Sequence, residues 1–307
     1  MGYLFLAVSV LSGSKKGFFA KKVSDRTSGL RGAVLSNLIR MLFCIPIGLV
    51  FVLFDGKLAD LAVSPRVIGI SAFAGVSTAV FIVSWLLAVK RSAFTSVDTF
   101  ISLGILVPII LSLAFYGEKV SLSQIIGLCL LISAVVIMSM YNNQIKERLD
   151  VASLILLLIV GFSNGLTDFS YKIFQYTKSG TPASVFNFYI YVFSAIALLG
   201  VLGILHLRGE GSEKPENDSA DVPSLLDRRK VIYIAIMAVF LFSNSYFKTL
   251  ASARLSAAEV YPLAQGSAIV LTLLMSRVFF GEKIKPLCLI GLGVLFSALL
   301  LLNVIVF

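Results

Sequence analysis

The sequence predicts an all-α membrane protein in which ten transmembrane helices form two five-helix inverted repeats. Three observations carry this reading. The chain is 58% hydrophobic and 14% charged, with a mean hydropathy of +0.97; that is too apolar for a soluble surface, and the alternating strands of a membrane barrel are not seen. Apolar runs of about 20 residues, the length that crosses a bilayer core, recur along it. One block is also written twice. Phe115-Tyr116-Gly117-Glu118-Lys119 returns as Phe279-Phe280-Gly281-Glu282-Lys283, and Ile126-Gly127-Leu128 and Ser133-Ala134 return as Ile290-Gly291-Leu292 and Ser297-Ala298.

The runs fall near residues 2–20, 32–54, 67–89, 95–116 and 121–141, then near 151–174, 183–206, 231–252, 257–280 and 286–306. Met1 to Ser12 lacks a basic leader and a convincing small-residue cleavage site, so it reads as the first membrane helix and not a signal peptide. Short connections imply antiparallel neighbours. The exception is 209–229, acidic and carrying Pro215 and Pro223, which is expected to be a mobile solvated loop. The repeats are therefore bounded as 1–142 and 150–307. Five spans separate the two Gly-Glu-Lys copies, and an odd number puts the copies on opposite sides of the membrane. Such inverted repeats in transporters hold the binding site near the midplane and rock around it.

The net charge of +10 belongs to helix ends, where basic residues set topology and meet anionic headgroups; no nucleic-acid surface is expected. Cys44, Cys129 and Cys288 sit in separate apolar runs and read as small hydrophobes. Without clustered metal ligands or a nucleophile beside a base, no catalytic residue, metal or cofactor is expected. Glu118-Lys119 and Glu282-Lys283 read as interfacial anchors at helix ends. Lys and Arg are more numerous in the odd-numbered connections, which by the positive-inside rule puts both termini outside.

Ionisable and amide residues inside spans are costly and mark cavities or partners. In the sixth span Asn164, Asp168, Tyr171 and Gln175 follow i, i+4, i+7, i+11 and share one face. Asp168 could neutralise a cation, accept a proton or pair with a lysine. In the first span Ser9, Ser12, Lys16 and Phe19 share a face, while Lys15 is open between cavity and interface. Further candidates are Asn244 and Lys248 in the eighth span, Asp98 with Ser102 in the fourth, and Glu259 opening the ninth. Trp85, beside a Ser77–Phe81–Ser84 face, could stack on a solute or anchor at an interface. Arg40 is left open between gating, pairing and snorkelling. Six basic residues within spans (Lys15, Lys16, Arg40, Lys172, Lys248, Arg277) against three acids (Asp98, Asp168, Glu259) favour a zwitterionic or anionic solute such as an amino acid.

Ser-Ala opening the fourth and ninth spans, Gly-Glu-Lys closing them and Ile-Gly in the fifth and tenth together resemble the drug/metabolite transporter superfamily, and its EamA-like members in particular. Ala93–Met140 and Ala257–Val304 carry the likeness most clearly. Pro262 matches a proline common near the start of the ninth helix; Asp98 stands at the corresponding first-half position, and Arg40 resembles a recurrent arginine of the second span. The resemblance implies a transporter of the bacterial plasma (inner) membrane with both termini inside, against the charge count. It also implies a central cavity lined by helices one, three, four, six, eight and nine. The expected partners are a small-molecule substrate and membrane lipids, with proton coupling and oligomeric state open. A flippase for a lipid-linked carrier and a transporter of organic cations are the alternatives.

Overall fold

The computed structural model describes residues 1–27, 29–91, 94–116, 121–145, 151–177, 179–208, 227–255, 257–279 and 286–303. Among these residues the regular structure is helical throughout, with no strand. The first half holds α1 (Gly2–Ser24), α2 (Gly29–Asp55), α3 (Pro65–Arg91), α4 (Phe94–Leu103), α5 (Leu106–Tyr116) and α6 (Leu122–Ile145). The second holds α7 (Val151–Tyr176), α8 (Ala183–Leu207), α9 (Arg228–Ser252), α10 (Ala257–Phe279) and α11 (Pro286–Asn303). By length and composition α2, α3, α7, α8 and α9 are long and apolar enough to cross a membrane. The lysine-bearing α1 (Lys15, Lys16, Lys21, Lys22) is not in that group.

The burial pattern is that of a protein solvated by lipid. Val76, Val80, Ile155, Phe162 and Leu199 point outward, while Asn37, Arg40, Thr78, Thr167, Asp168 and Asn187 are buried. Hydrocarbon penalises unpaired polar groups more than apolar ones, so polar side chains turn inward and bond across helices. Asn37 Nδ2 donates to Ile82 O at 3.1 Å and Ser194 Oγ to Gly75 O at 2.8 Å.

Packing pairs the halves reciprocally. α1 lies along α9 and α7 lies along α3, so the first helix of each half packs on the third helix of the other. α2 packs on α8, and α6 on α11. The last pair packs around Leu131, Ala134, Met138, Leu295 and Ala298, in a second apolar cluster that also takes in Leu6 of α1, Ala251 of α9 and Val260 and Tyr261 of α10.

The fourth apolar run, expected as one helix, is two. Pro108 has no N–H to give to the carbonyl of Gly104, four residues back. That carbonyl instead accepts from Val107 N at 3.1 Å, while Gly104 N reaches Ile101 O at 2.9 Å. The tightened turn is stabilised by close packing: a Cβ on Gly104 would run into the main chain of Gly161 and Gly165 on α7. Gly161 and Gly165 are four apart on one face, the spacing that lets helix backbones touch in membranes. The second copy keeps no such device, with Ala268 and Thr272 in the matching positions, and α10 is continuous.

Of the acidic connection, 209–226 lie outside the described residues. Asp227 to Arg229, expected within that loop, instead open α9. The Asp227 carboxylate caps α9 by accepting from Arg229 N at 3.2 Å, and it pairs with Arg26 at 2.8 Å. The Gly-Glu-Lys blocks also lie outside the described residues.

Candidate functional site

Six helices, three from each half, turn a polar face toward one cavity of about 110 Å³. α1 contributes Lys16, α3 Phe81 and Trp85, α4 Asp98, α7 Asn164, α9 Asn244 and Lys248, and α10 Gln265.

The α1–α9 wall is a reciprocal clasp. Ser9 Oγ donates to Asn244 O at 2.9 Å, and Asn244 Nδ2 donates to Ser9 O at 2.8 Å. Gly13 leaves the room this needs, since a Cβ there would sit 3.0 Å from Asn244 Nδ2. Both helices thereby satisfy polar groups that lipid could not.

Behind the wall is an ion pair. Lys248 Nζ donates to Asp168 Oδ1 at 2.5 Å, with the two side chains 13% and 3% exposed. The Tyr261 hydroxyl donates to the main-chain carbonyl of Asp168 at 2.8 Å, and the Lys248 ammonium lies 5.4 Å from the Tyr261 ring. A carboxylate this deep persists as a charge only when paired and hydrogen-bonded. Of the roles open to Asp168 in the sequence, lysine pairing is the one adopted in this conformation.

Lys16 sits differently. Its ammonium is 5.1 Å from the Trp85 ring and 6.0 Å from that of Phe81, and the two rings are stacked at 6.0 Å with 14° between their planes. Among the described residues no carboxylate forms an ion pair with it. The aromatic faces stabilise the cation through their quadrupoles. Trp85 is thus a wall residue, 3% exposed. Lys15 is exposed over Phe240 at 5.4 Å, and so takes the outward of its two possible placements.

Of the candidates read from sequence, Lys16, Trp85, Asp98, Asn164, Asn244 and Lys248 line the cavity. Asp168 reaches it only through Lys248. Ser12 is buried away from the lining. Tyr171 and Gln175 also lie elsewhere: the Tyr171 ring meets Phe186 edge-on at 6.0 Å, and Gln175 Nε2 donates to Thr249 O at 3.2 Å. From Asn164 to Gln175 a helix rises about 16 Å, more than one small cavity can span. Glu259 lies in the first turn of α10, its side chain outside the described residues. Gln265 is the wall residue the sequence reading passes over; the available signal is a lone amide inside the apolar run of α10. Among the described residues no group of His, Cys, Asp or Glu is arranged to hold a metal ion.

The family model of the EamA-like transporter family matches residues 1–140 and again 151–304. The chain therefore belongs to the EamA-like transporter family, an integral membrane transporter built from two EamA repeats. A crystal structure recorded only as "Crystal structure of protein" has the same fold, with a TM-score of 0.60 over 98% of this chain and 96% of that one at 14% identity. In all, 28 chains of solved structures match. No curated protein matches in sequence.

Proposed function

We propose that the protein is a secondary transporter that carries a small polar metabolite, an amino-acid-like zwitterion or an organic anion, by alternating access. The observation behind this is a cavity walled by α1, α3 and α4 of one half and α7, α9 and α10 of the other. The ten apolar segments are taken as ten spans, with repeats 1–142 and 150–307 inverted with respect to each other. The exchange of partners, α1 on α9 and α7 on α3, supports that relation. Rocking of one half against the other would open the cavity to each side in turn. Exchange of solutes needs no titrating group; proton coupling would run through Asp168, once released from Lys248. The proposed location is a bacterial plasma membrane.

One observation favours the lipid-carrier flippase as a second reading. An apolar groove of about 690 Å³ opens sideways between α3 and α7, lined by Phe73, Val76, Val80, Ile155, Ile159 and Phe162 among others. Thr78 and Thr167 hydrogen-bond across the same helix pair at 3.4 Å.

The experiment is reconstitution of the purified protein into liposomes, screened with pooled labelled amino acids, nucleotides, sugars and organic cations, beside a fluorescent-lipid translocation assay. Uptake or counterflow of an amino acid or anion is the expected result. No movement of any pool sinks the metabolite reading, and lipid translocation alone selects the flippase.

A further inference from the structure

Two buried side-chain atoms of the cavity lining, Trp85 Nε1 and Asn164 Nδ2, have no hydrogen-bond partner among the described residues. Lys16 adds an ammonium that lies over two rings and, among the described residues, forms no ion pair. All three are donors. Native interiors leave few buried donors unsatisfied, and those that remain call for an explanation such as a missing ligand. At the α1–α9 wall Ser9 O already accepts from Asn244, and behind it Asp168 accepts from Lys248.

A fourth donor lies outside the lining. Arg40 on α2 is 1% exposed, and its Nε and Nη2 have no hydrogen-bond partner among the described residues. Those two atoms form the side-on fork of a guanidinium, the pair that matches the two oxygens of a carboxylate. Among the described residues no carboxylate pairs with it. Arg40 and Lys248 are the cations that act electrostatically on Lys16, and Asp98 and Asp168 the anions. Among the described residues three cations face two carboxylates, and with the Lys248–Asp168 pair neutral these groups leave one positive charge in excess.

We propose that the cavity is an oxyanion receptor: Lys16, the Trp85 indole N–H and the Asn164 amide take the carboxylate or phosphate of the solute, and Arg40 supplies the second buried positive charge. This rests on the transport reading and narrows it to solutes bearing a carboxylate or phosphate. The rest of the solute would face Asp98 and Gln265, where an ammonium or hydroxyl finds acceptors.

The chain holds its own reporter. Trp85 is the one tryptophan in 307 residues, so indole fluorescence comes from the cavity wall alone. The test uses the full-length protein in phosphatidylcholine nanodiscs with a tryptophan-free scaffold protein, quenched in parallel by iodide, caesium and neutral acrylamide. Each constant is divided by the one the same quencher gives with free N-acetyltryptophanamide; a positive pocket concentrates anions, so the normalised iodide constant should exceed that of caesium by about threefold or more. Lys16→Gln should bring the two toward equality, Lys16→Arg should keep the difference, and Arg40→Gln should reduce it. Unchanged acrylamide quenching certifies that each variant is folded, and Lys16→Gln decides alone if Arg40→Gln does not assemble.

Acetate or inorganic phosphate at constant ionic strength should then protect Trp85 from iodide, and the stronger protector identifies the oxyanion. Caesium quenching equal to iodide in the native protein overturns the proposal. So does a preference that survives Lys16→Gln, or no protection by either oxyanion. The liposome screen separates the two claims: solute movement without iodide preference removes the receptor alone, and iodide preference without movement removes the transport reading alone.

Discussion

Lys248 and Asp168 face each other at 2.5 Å across α9 and α7, deep in the second half. Removing one partner leaves a buried charge alone, which costs about 3–5 kcal/mol in comparable buried pairs. Asp168→Asn should insert normally yet lose transport and unfold at a markedly lower temperature in detergent. Asp168→Asn combined with Lys248→Met should recover much of that stability without recovering transport. The check is a thermal-unfolding double-mutant cycle beside uptake; unchanged transport kinetics in Asp168→Asn would remove the pair from the working site.

The Ser9–Asn244 clasp makes a smaller claim. Interhelical side-chain bonds in membrane proteins are worth about 0.6 kcal/mol on average and reach about 1.7. Asn244→Leu breaks the amide's bonds to both oxygens of Ser9. It should therefore lower stability by about 1 kcal/mol and loosen α1 from α9, read as faster cross-linking between cysteines placed on the two helices. A loss several times larger would mean that Asn244 also bonds a group other than Ser9.

Glycine substitutions should sort by what a methyl group meets. Gly104→Ala and Gly165→Ala drive a Cβ into main-chain atoms of the facing helix, which cannot rotate away. Overpacking of that kind typically costs about 1–3 kcal/mol. Gly69→Ala and Gly293→Ala meet nothing within 4 Å and should be neutral or slightly stabilising, since alanine favours the helix. Size-exclusion profiles and unfolding temperatures of the four variants test this, and equal behaviour would contradict the close α4–α7 crossing.

At the membrane surface, Asp227→Ala removes a helix cap, worth about 1 kcal/mol. It also removes the partner of Arg26, but both side chains are about a third exposed and salt screens such pairs. Arg26→Ala alone should therefore cost well under 1 kcal/mol. Unfolding at low and high salt distinguishes them: the Arg26 effect should fade with salt, and most of the Asp227 effect should remain.

Hydropathy marked nearly every helix to within a few residues, because about 20 apolar residues in a row have few other uses. The polar stripe rule was good in direction and poor in reach. It picked out Asn164 and Lys16, which line the cavity, but extended to Tyr171 and Gln175, since a helical face has an azimuth and no depth. Lysine was one of three partners open to Asp168; which lysine was not readable, because the pairing spans 80 residues and depends on how α7 meets α9. The break at Gly104 had a local signal in Pro108, hidden by a run so apolar that continuity looked complete. Arg40 carried no local signal of its role, since its meaning lies in the partners it lacks.

The clasp between residue 9 and residue 244 also governs how the protein comes to exist. Ribosomes deliver α1 first, yet the groups that satisfy its polar edge are 235 positions downstream. Through most of synthesis Ser9 must wait beside lipid or inside the insertion machinery. The nascent chain is therefore committed to late closure, and a truncation before α9 should leave an unsealed intermediate, open to membrane proteases until its last segments arrive.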